Sequence, residues 1–232
     1  MKEAAEVANE WATDGKAEFI KGDAFNLPFE DNFADWIMCQ TLLMHLNEPK
    51  KALKEMSRVI KSGGLILCKE PDNLSGILAR QFFSAANFSN VDFLLAAKVQ
   101  LAVHDGRIKL GRGDQSIGNK VAHMLHELGM VDIDVKMKES VFFLQPPYKS
   151  EQQQHKLKQL KKLYSDLKDK DFWKSKTREE FLAGGGEIKD FDKHCKTMEG
   201  YFDKALRQMD NNELSACGGY FTYIIKATKP GE

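Results

Sequence analysis

The stretch that decides the fold is Ala34–Asp72, ADWIMCQTLLMHLNEPKKALKEMSRVIKSGGLILCKEPD. Trp36-Ile37-Met38-Cys39 is continuously apolar, as expected of a strand in a parallel sheet covered on both faces. Asn47 reads as the N-cap of a helix with Pro49 in its first turn, and Ala52, Leu53, Met56, Val59 and Ile60 form an apolar stripe at helical spacing. Ser62-Gly63-Gly64 ends that helix, and Leu65–Cys68 reads as another buried strand closed by Glu70-Pro71-Asp72. Strand, helix, strand with short connections is a βαβ unit, so the class is α/β with a mostly parallel sheet.

Outward from this unit the rhythm continues on one side and breaks on the other. Upstream, Ala17–Lys21 with Phe19 and Ile20 at its centre predicts a short strand, preceded by a helix in which Ala4, Ala5, Val7, Ala8 and Trp11 share a face before Asp14-Gly15. Downstream, residues 73–113 hold Phe82, Phe83, Phe88 and Phe93 without a clean strand pattern and read as an inserted helical piece. Ile117, Val121, Leu125 and Leu128 then line a helix face capped by Gly129, and Val131, Ile133, Val135 and Met137 alternate with charged residues, marking a strand near a sheet edge. From Ser150 to about Asn212 the chain is rich in Lys, Gln and Glu, with apolar residues at helical spacing that predict two or three helices. Tyr148, Phe172, Trp173, Phe181, Tyr201 and Phe202 are among the aromatics of residues 146–214, and Tyr220–Ile225 is the last strand. The expected division is a sheet-bearing core formed by residues 1–72, 114–145 and 215–230, with 73–113 and 146–214 as helical caps.

Composition narrows the function classes. The 232 residues are 42% hydrophobic and 29% charged, an ordinary globular profile. Lys plus Arg and Asp plus Glu number 34 each, so no basic excess exists to neutralise a phosphate backbone and nucleic-acid binding is not expected. No apolar run approaches the roughly 18 residues of a membrane span, and the acidic first residues do not read as a secretory signal. Cys39, Cys68, Cys195 and Cys217 are scattered, which argues against a disulfide framework or a metal centre and predicts reduced thiols in the cytoplasm.

Chemistry concentrates after the strand predicted at Ala17–Lys21. Asp23 falls where the carboxyl edge of a parallel sheet forms its ligand crevice. A carboxylate there can accept a hydrogen bond from an exocyclic amine while Phe25 covers an aromatic ring; an isolated Asp in such a loop can equally make an Asx-turn. Glu55 and Arg58, three apart on the predicted helix, read as a surface ion pair. Gly111-Arg112-Gly113 with Gly118 lacks the spacing of a phosphate loop, and Gly184-Gly185-Gly186 lies between helices, so both read as turns; Arg112-Gly113-Asp114 is a chance tripeptide.

Read together, Asp23, Leu27-Pro28-Phe29, Asp31, Ala34-Asp35, Leu42, Leu43, His45, Pro49, Glu55, Arg58-Val59 and Gly63-Gly64 resemble the Rossmann-like class I S-adenosylmethionine-dependent methyltransferases, in their small-molecule branch. Ala34 stands where that family usually has Phe, Ile60 where it has Leu and Ser62 where it has Pro; none of these changes removes a polar contact. The resemblance is close from Phe19 to Asp72 and loose beyond. It implies a Rossmann-like sheet with its final strand antiparallel, S-adenosylmethionine as methyl donor, and a small-molecule acceptor methylated on O, N or C. It further implies that Asp23 contacts the adenine amine, Ala24 offers backbone groups to the ring, Phe25 or Leu27 packs against it, and Gln40 lies beside the methionine part. His45 either faces the substrate as a catalytic candidate or packs beneath its loop, and the other possible bases, His104, His123, Tyr148 and Tyr220, are no better marked. The family's Gly-rich turn and the acidic residue ending its second strand have no counterpart here, so the N-terminal strands of the fold are expected to be absent from this chain. The competing expectation is a non-catalytic Rossmann-like remnant or binding module without the cofactor loop; a nicotinamide-binding protein leaves Leu27-Pro28-Phe29 unexplained. Neither an oligomeric state nor a metal follows from these residues.

Overall fold

Ala34–Gln40 forms strand β1 and Ile60–Asp72 strand β2, joined by a short 3-10 helix at Leu43–His45 and helix α1 at Pro49–Val59. The two strands are parallel, with Trp36 opposite Leu65 and Gln40 opposite Lys69. The computed structural model describes residues 18–78, 81–86, 88–169 and 171–231, with the side chains of 77, 78, 169 and 171–173 outside that description. The expected N-terminal helix therefore lies outside the described residues, as do the side chains of Phe172 and Trp173. Helix α1 starts from Glu48, whose side chain makes no cap bond, rather than from Asn47; Pro49 lacks an N–H, which removes one of the donors a cap would serve.

The remaining elements are α2 (Asn73–Leu78), β3 (Phe82–Phe83), α3 (Asn90–Lys109), α4 (Gly118–Glu127), β4 (Val131–Leu144), α5 (Glu151–Asp169), α6 (Asp171–Ala183), α7 (Ile188–Asp210) and β5 (Ala216–Thr228). Strand β5 runs antiparallel to β2 on one side and to β4 on the other, and β3 continues the β2 side, pairing with Cys217 and Ala216. Four strands therefore point one way and only β5 is reversed. The fold is Rossmann-like α/β, with its mostly parallel sheet and antiparallel final strand.

Ala17 lies outside the described residues, and over the rest of the strand expected at Ala17–Lys21 none is found. Residues 18–22 have no ladder, and Asp23 makes only an isolated bridge with Asn26. A strand needs a neighbour for its N–H and C=O groups, and none of the described strands lies beside these residues. The outer edge of β1 likewise has no partner strand among the described residues, and Trp36 and Met38, on the sheet face away from the main core, are 61% and 54% exposed.

That main core fills the other face. Leu53 and Met56 of α1, Val121 and Leu125 of α4, and Cys39, Ile66, Cys68 and Ile225 of the sheet pack together. Each fully buried aliphatic side chain here contributes about 1.5–3 kcal/mol. A second cluster joins the far end of β4 and β5 to α5 and α7 through Leu144, Tyr164, Tyr201 and Phe202, and a third joins α3, α6 and α7 through Val99, Val103, Phe181 and Phe191. Helices α3 and α6 cross with backbones almost touching: a Cβ on Gly106 would lie 1.6 Å from the Glu180 carbonyl oxygen, and one on Gly184 1.8 Å from that of Ala102. The turn read at Gly184-Gly185-Gly186 is thus also a contact point, which explains why side chains are missing there.

Candidate active site

At the carboxyl ends of β1 and β2 the chain must leave the sheet, and one buried carboxylate organises the departure. Glu70 of β2 is fully buried. Its Oε1 accepts the backbone N–H groups of Leu42 and Leu43 at 2.9 and 3.0 Å, and its Oε2 that of Met44 at 3.3 Å. These are donors that the first turn of the 3-10 helix leaves without backbone partners. Burial pushes the Glu70 carboxyl above its ordinary range, opposed by the three N–H bonds and, more weakly, by the charge of nearby His45. The loop after β1 is thereby fixed, with Thr41 at φ +48° donating its N–H to the Lys69 carbonyl at 2.9 Å. Gln40 and His45, at either end of this loop, are exposed. Behind His45, Gly113 (φ +83°) brings its Cα so close that a Cβ would sit 2.3 Å from the Met44 carbonyl oxygen, so the glycine turn near residue 112 supports this loop from outside.

A second loop lies over the same core. Asp23 is exposed, and its Oδ1 accepts the N–H of Phe25 at 3.0 Å, the Asx-turn geometry. Ala24, Phe25 and Leu27 are half-buried and pack on the main core beside Leu42 and Leu46. The Phe25 ring carries Lys51 Nζ at 5.4 Å from its centre. The loop is clamped from α1: Glu55 Oε1 accepts the Leu27 N–H at 2.9 Å, and Arg58 Nη2 donates to Glu55 at 2.7 Å and to the Phe29 carbonyl at 2.9 Å. Arg58 Nη1 reaches Asp31 at 2.6 Å. The Glu55–Arg58 pair expected on the surface therefore has a larger part, holding residues 27–31 in one conformation; the guanidinium keeps the Glu55 carboxyl below its usual range.

The structure thus places Ala24, Phe25 and Leu27 against the main core with Asp23 exposed in the same turn, while Gln40 ends β1. Glu70 is the residue that sequence reasoning missed; its signal was a lone carboxylate at the end of an apolar strand, where only burial shows that it serves the neighbouring loop. Cys39 and Cys68 are buried, and the Cys68 thiol is raised by its hydrogen bond with Cys39 and by burial, so it stays protonated. Among the described residues no group of His, Cys, Asp and Glu could hold a metal ion.

The loop after β1 leaves the carboxyl edge of the sheet, the edge at which open α/β sheets bind ligands. Residues 1–68 match the family model described as a methyltransferase domain. Among curated proteins, the chain is 34% identical over 94 residues to an uncharacterized methyltransferase of Schizosaccharomyces pombe, covering 40% of this chain and 32% of that protein. It is 39% identical over 67 residues to the demethylmenaquinone methyltransferase of Staphylococcus epidermidis, covering 29% and 28%. The chain thus spans about a third of the length of these relatives. A solved SAM-dependent methyltransferase of Methanosarcina mazei aligns over all of this chain and 80% of its own, at 15% identity and a TM-score of 0.45. Over its first part the chain resembles the class I S-adenosylmethionine-dependent methyltransferases.

Proposed function

We propose that this chain belongs to an S-adenosylmethionine-dependent methyltransferase acting on an O, N or C atom of a small molecule. The observation that carries the reading is the turn at residues 23–29, packed on the main core and locked by the Glu55–Arg58 clamp of α1. The residues there fit an adenosyl group. Asp23 offers a solvent-facing carboxylate to an exocyclic amine, and Phe25 and Leu27 offer apolar surface to a ring. Gln40 places an amide at the end of β1, suited to the polar backbone of an amino-acid moiety.

When bound, the donor supplies a sulfonium methyl group electrophilic enough that little covalent help is needed. The work of the protein is alignment and exclusion of water. Glu70 contributes by holding Leu42–Met44, and so the loop that presents Gln40 and His45. His45, exposed on that loop, is the candidate for meeting the reacting end of the acceptor, and the segments 73–113 and 146–214 are the candidates for holding the rest of it. The demethylmenaquinone methyltransferase relative is consistent with an acceptor of small-molecule size.

Calorimetric titration of S-adenosylhomocysteine into the full chain tests the reading. Asp23→Ala removes the acceptor for the adenine amine and should weaken binding by at least about 1 kcal/mol, while leaving the urea midpoint in place. An unchanged dissociation constant removes Asp23 from the site.

A further inference from the structure

A cavity of about 690 Å³ opens between the two segments outside the main core, walled on one side by Phe83, Phe88 and Ala96 and on the other by Tyr164, Met198 and Tyr201. That volume suits a drug-sized organic molecule. His45 is not among its lining residues; Phe142 of β4 and Tyr220 of β5 line it together with the two segments.

The chemistry of the wall is specific. Phe83 meets Tyr201 edge-on at 5.9 Å between ring centres, Phe88 lies 5.4 Å from Tyr201, and Tyr164 lies 5.6 Å from it. The Tyr164 and Tyr201 hydroxyls bond each other at 2.9 Å, one donating and the other accepting. At the margin Phe82, Leu163 and Tyr220 are 59%, 49% and 50% exposed, apolar side chains left in water that an entering ligand would cover. Several of the wall's polar groups are already engaged: Asp92 in the capping box with Ser89, Gln81 with the Gly219 carbonyl, Thr197 with the Lys193 carbonyl. His194 and Lys156 are the basic groups of the wall. Lys156 sits over the Phe142 ring at 4.7 Å. His194 is half-buried on α7, and burial lowers its pKa, which favours the neutral imidazole with one nitrogen that donates and one that accepts.

We propose that this cavity binds the methyl acceptor, and that the acceptor is a planar aromatic compound carrying a hydroxyl group that hydrogen-bonds His194. This rests on the methyltransferase reading above. An aromatic body matches the wall because edge-to-face and offset contacts with Phe83, Phe88 and Tyr201 require ring partners, which an acyl chain does not supply. A hydroxyl matches His194, which lines the cavity, because it can donate to one imidazole nitrogen or accept from the other whichever tautomer is present.

The test uses the full chain without methyl donor and 1-naphthol as probe, with naphthalene and decanol for comparison, followed by calorimetry and by the 13C-methyl signal of Met198. The expected result is one saturable naphthol site per chain that shifts the Met198 methyl and is at least fivefold tighter than naphthalene or decanol. Ala96→Trp, which fills the cavity, should weaken naphthol at least tenfold. His194→Phe, close in size, should remove the preference for naphthol over naphthalene and leave naphthalene unchanged, and so keeps the test decisive if the tryptophan variant does not fold. Absence of saturable naphthol binding, naphthol binding that Ala96→Trp leaves unchanged, or decanol binding as tightly as naphthol overturns the proposal. S-adenosylhomocysteine is titrated into the same samples. Its binding without naphthol binding overturns the cavity and leaves methyl transfer standing, whereas naphthol binding without it overturns the acceptor role.

Discussion

Replacing Glu70 is the most informative single change, because the carboxylate has three backbone donors and no solvent. Glu70→Ala leaves the N–H groups of Leu42, Leu43 and Met44 without acceptors in a fully buried place. A buried donor left unpaired costs about 1–3 kcal/mol, so two well-formed bonds and one longer one set the loss at about 3–6 kcal/mol once the vacated volume is included. Glu70→Gln keeps the shape and one oxygen, can retain the Leu42 and Leu43 bonds, and loses chiefly the Met44 bond while dropping a buried charge; its loss is about 1 kcal/mol. Urea unfolding followed by circular dichroism gives both numbers, and amide exchange at residues 42–44 locates them. The pH dependence has a definite sign. The folded carboxyl titrates above its ordinary value of 4.5, so between that value and the raised one the native chain binds more protons than the unfolded chain. The contribution of this group to stability is therefore complete below 4.5 and is lost as pH rises through the raised value. The stability of the wild type minus that of Glu70→Gln should fall as pH increases across that window. A rising difference, or an alanine variant no less stable than the glutamine one, would refute the account of Glu70 as a buried loop anchor.

Other perturbations test separate parts of the structure. Arg58→Ala takes away the bonds to Glu55, Asp31 and the Phe29 carbonyl; with the guanidinium side chain 31% exposed, we expect about 1–2 kcal/mol in urea, and weaker S-adenosylhomocysteine binding because residues 27–31 loosen. Retention of full affinity would detach the clamp from the site. Gly106→Ala forces a methyl to within 1.6 Å of the Glu180 carbonyl oxygen and should cost about 3 kcal/mol or more, read as a lowered urea midpoint. Gly200→Ala, in α7 with nothing within 4 Å of its added carbon, should instead raise stability by about 0.5–1 kcal/mol; if both alanines behave alike, the crossing of α3 and α6 is not as close as described.

What the sequence made legible follows from what each residue needed. The βαβ unit was readable because β1, α1 and β2 bury their apolar side chains against one another, and local periodicity records that burial directly. Residues 18–22 carried the composition of a strand, yet a strand is a property of two segments, and composition cannot show whether a neighbour is present. The Asp23 turn was visible as chemistry, and the structure shows its Asx-turn reading: one carboxylate oxygen closes the turn on Phe25 while the residue stays exposed. Glu55 and Arg58 were seen as neighbours on a helix, but their partners 28 and 29 positions away, Leu27 and Phe29, depend on how the loop folds back. Glu70 was hidden for the same reason in stronger form, since nothing adjacent in sequence explains a buried carboxylate until residues 42–44 arrive above it. In both cases the residue that orients a loop lies on a neighbouring element, α1 for Arg58 and β2 for Glu70. The stability of the site therefore depends on side chains that need not touch a ligand, and Arg58 and Glu70 should limit affinity through the conformations they hold.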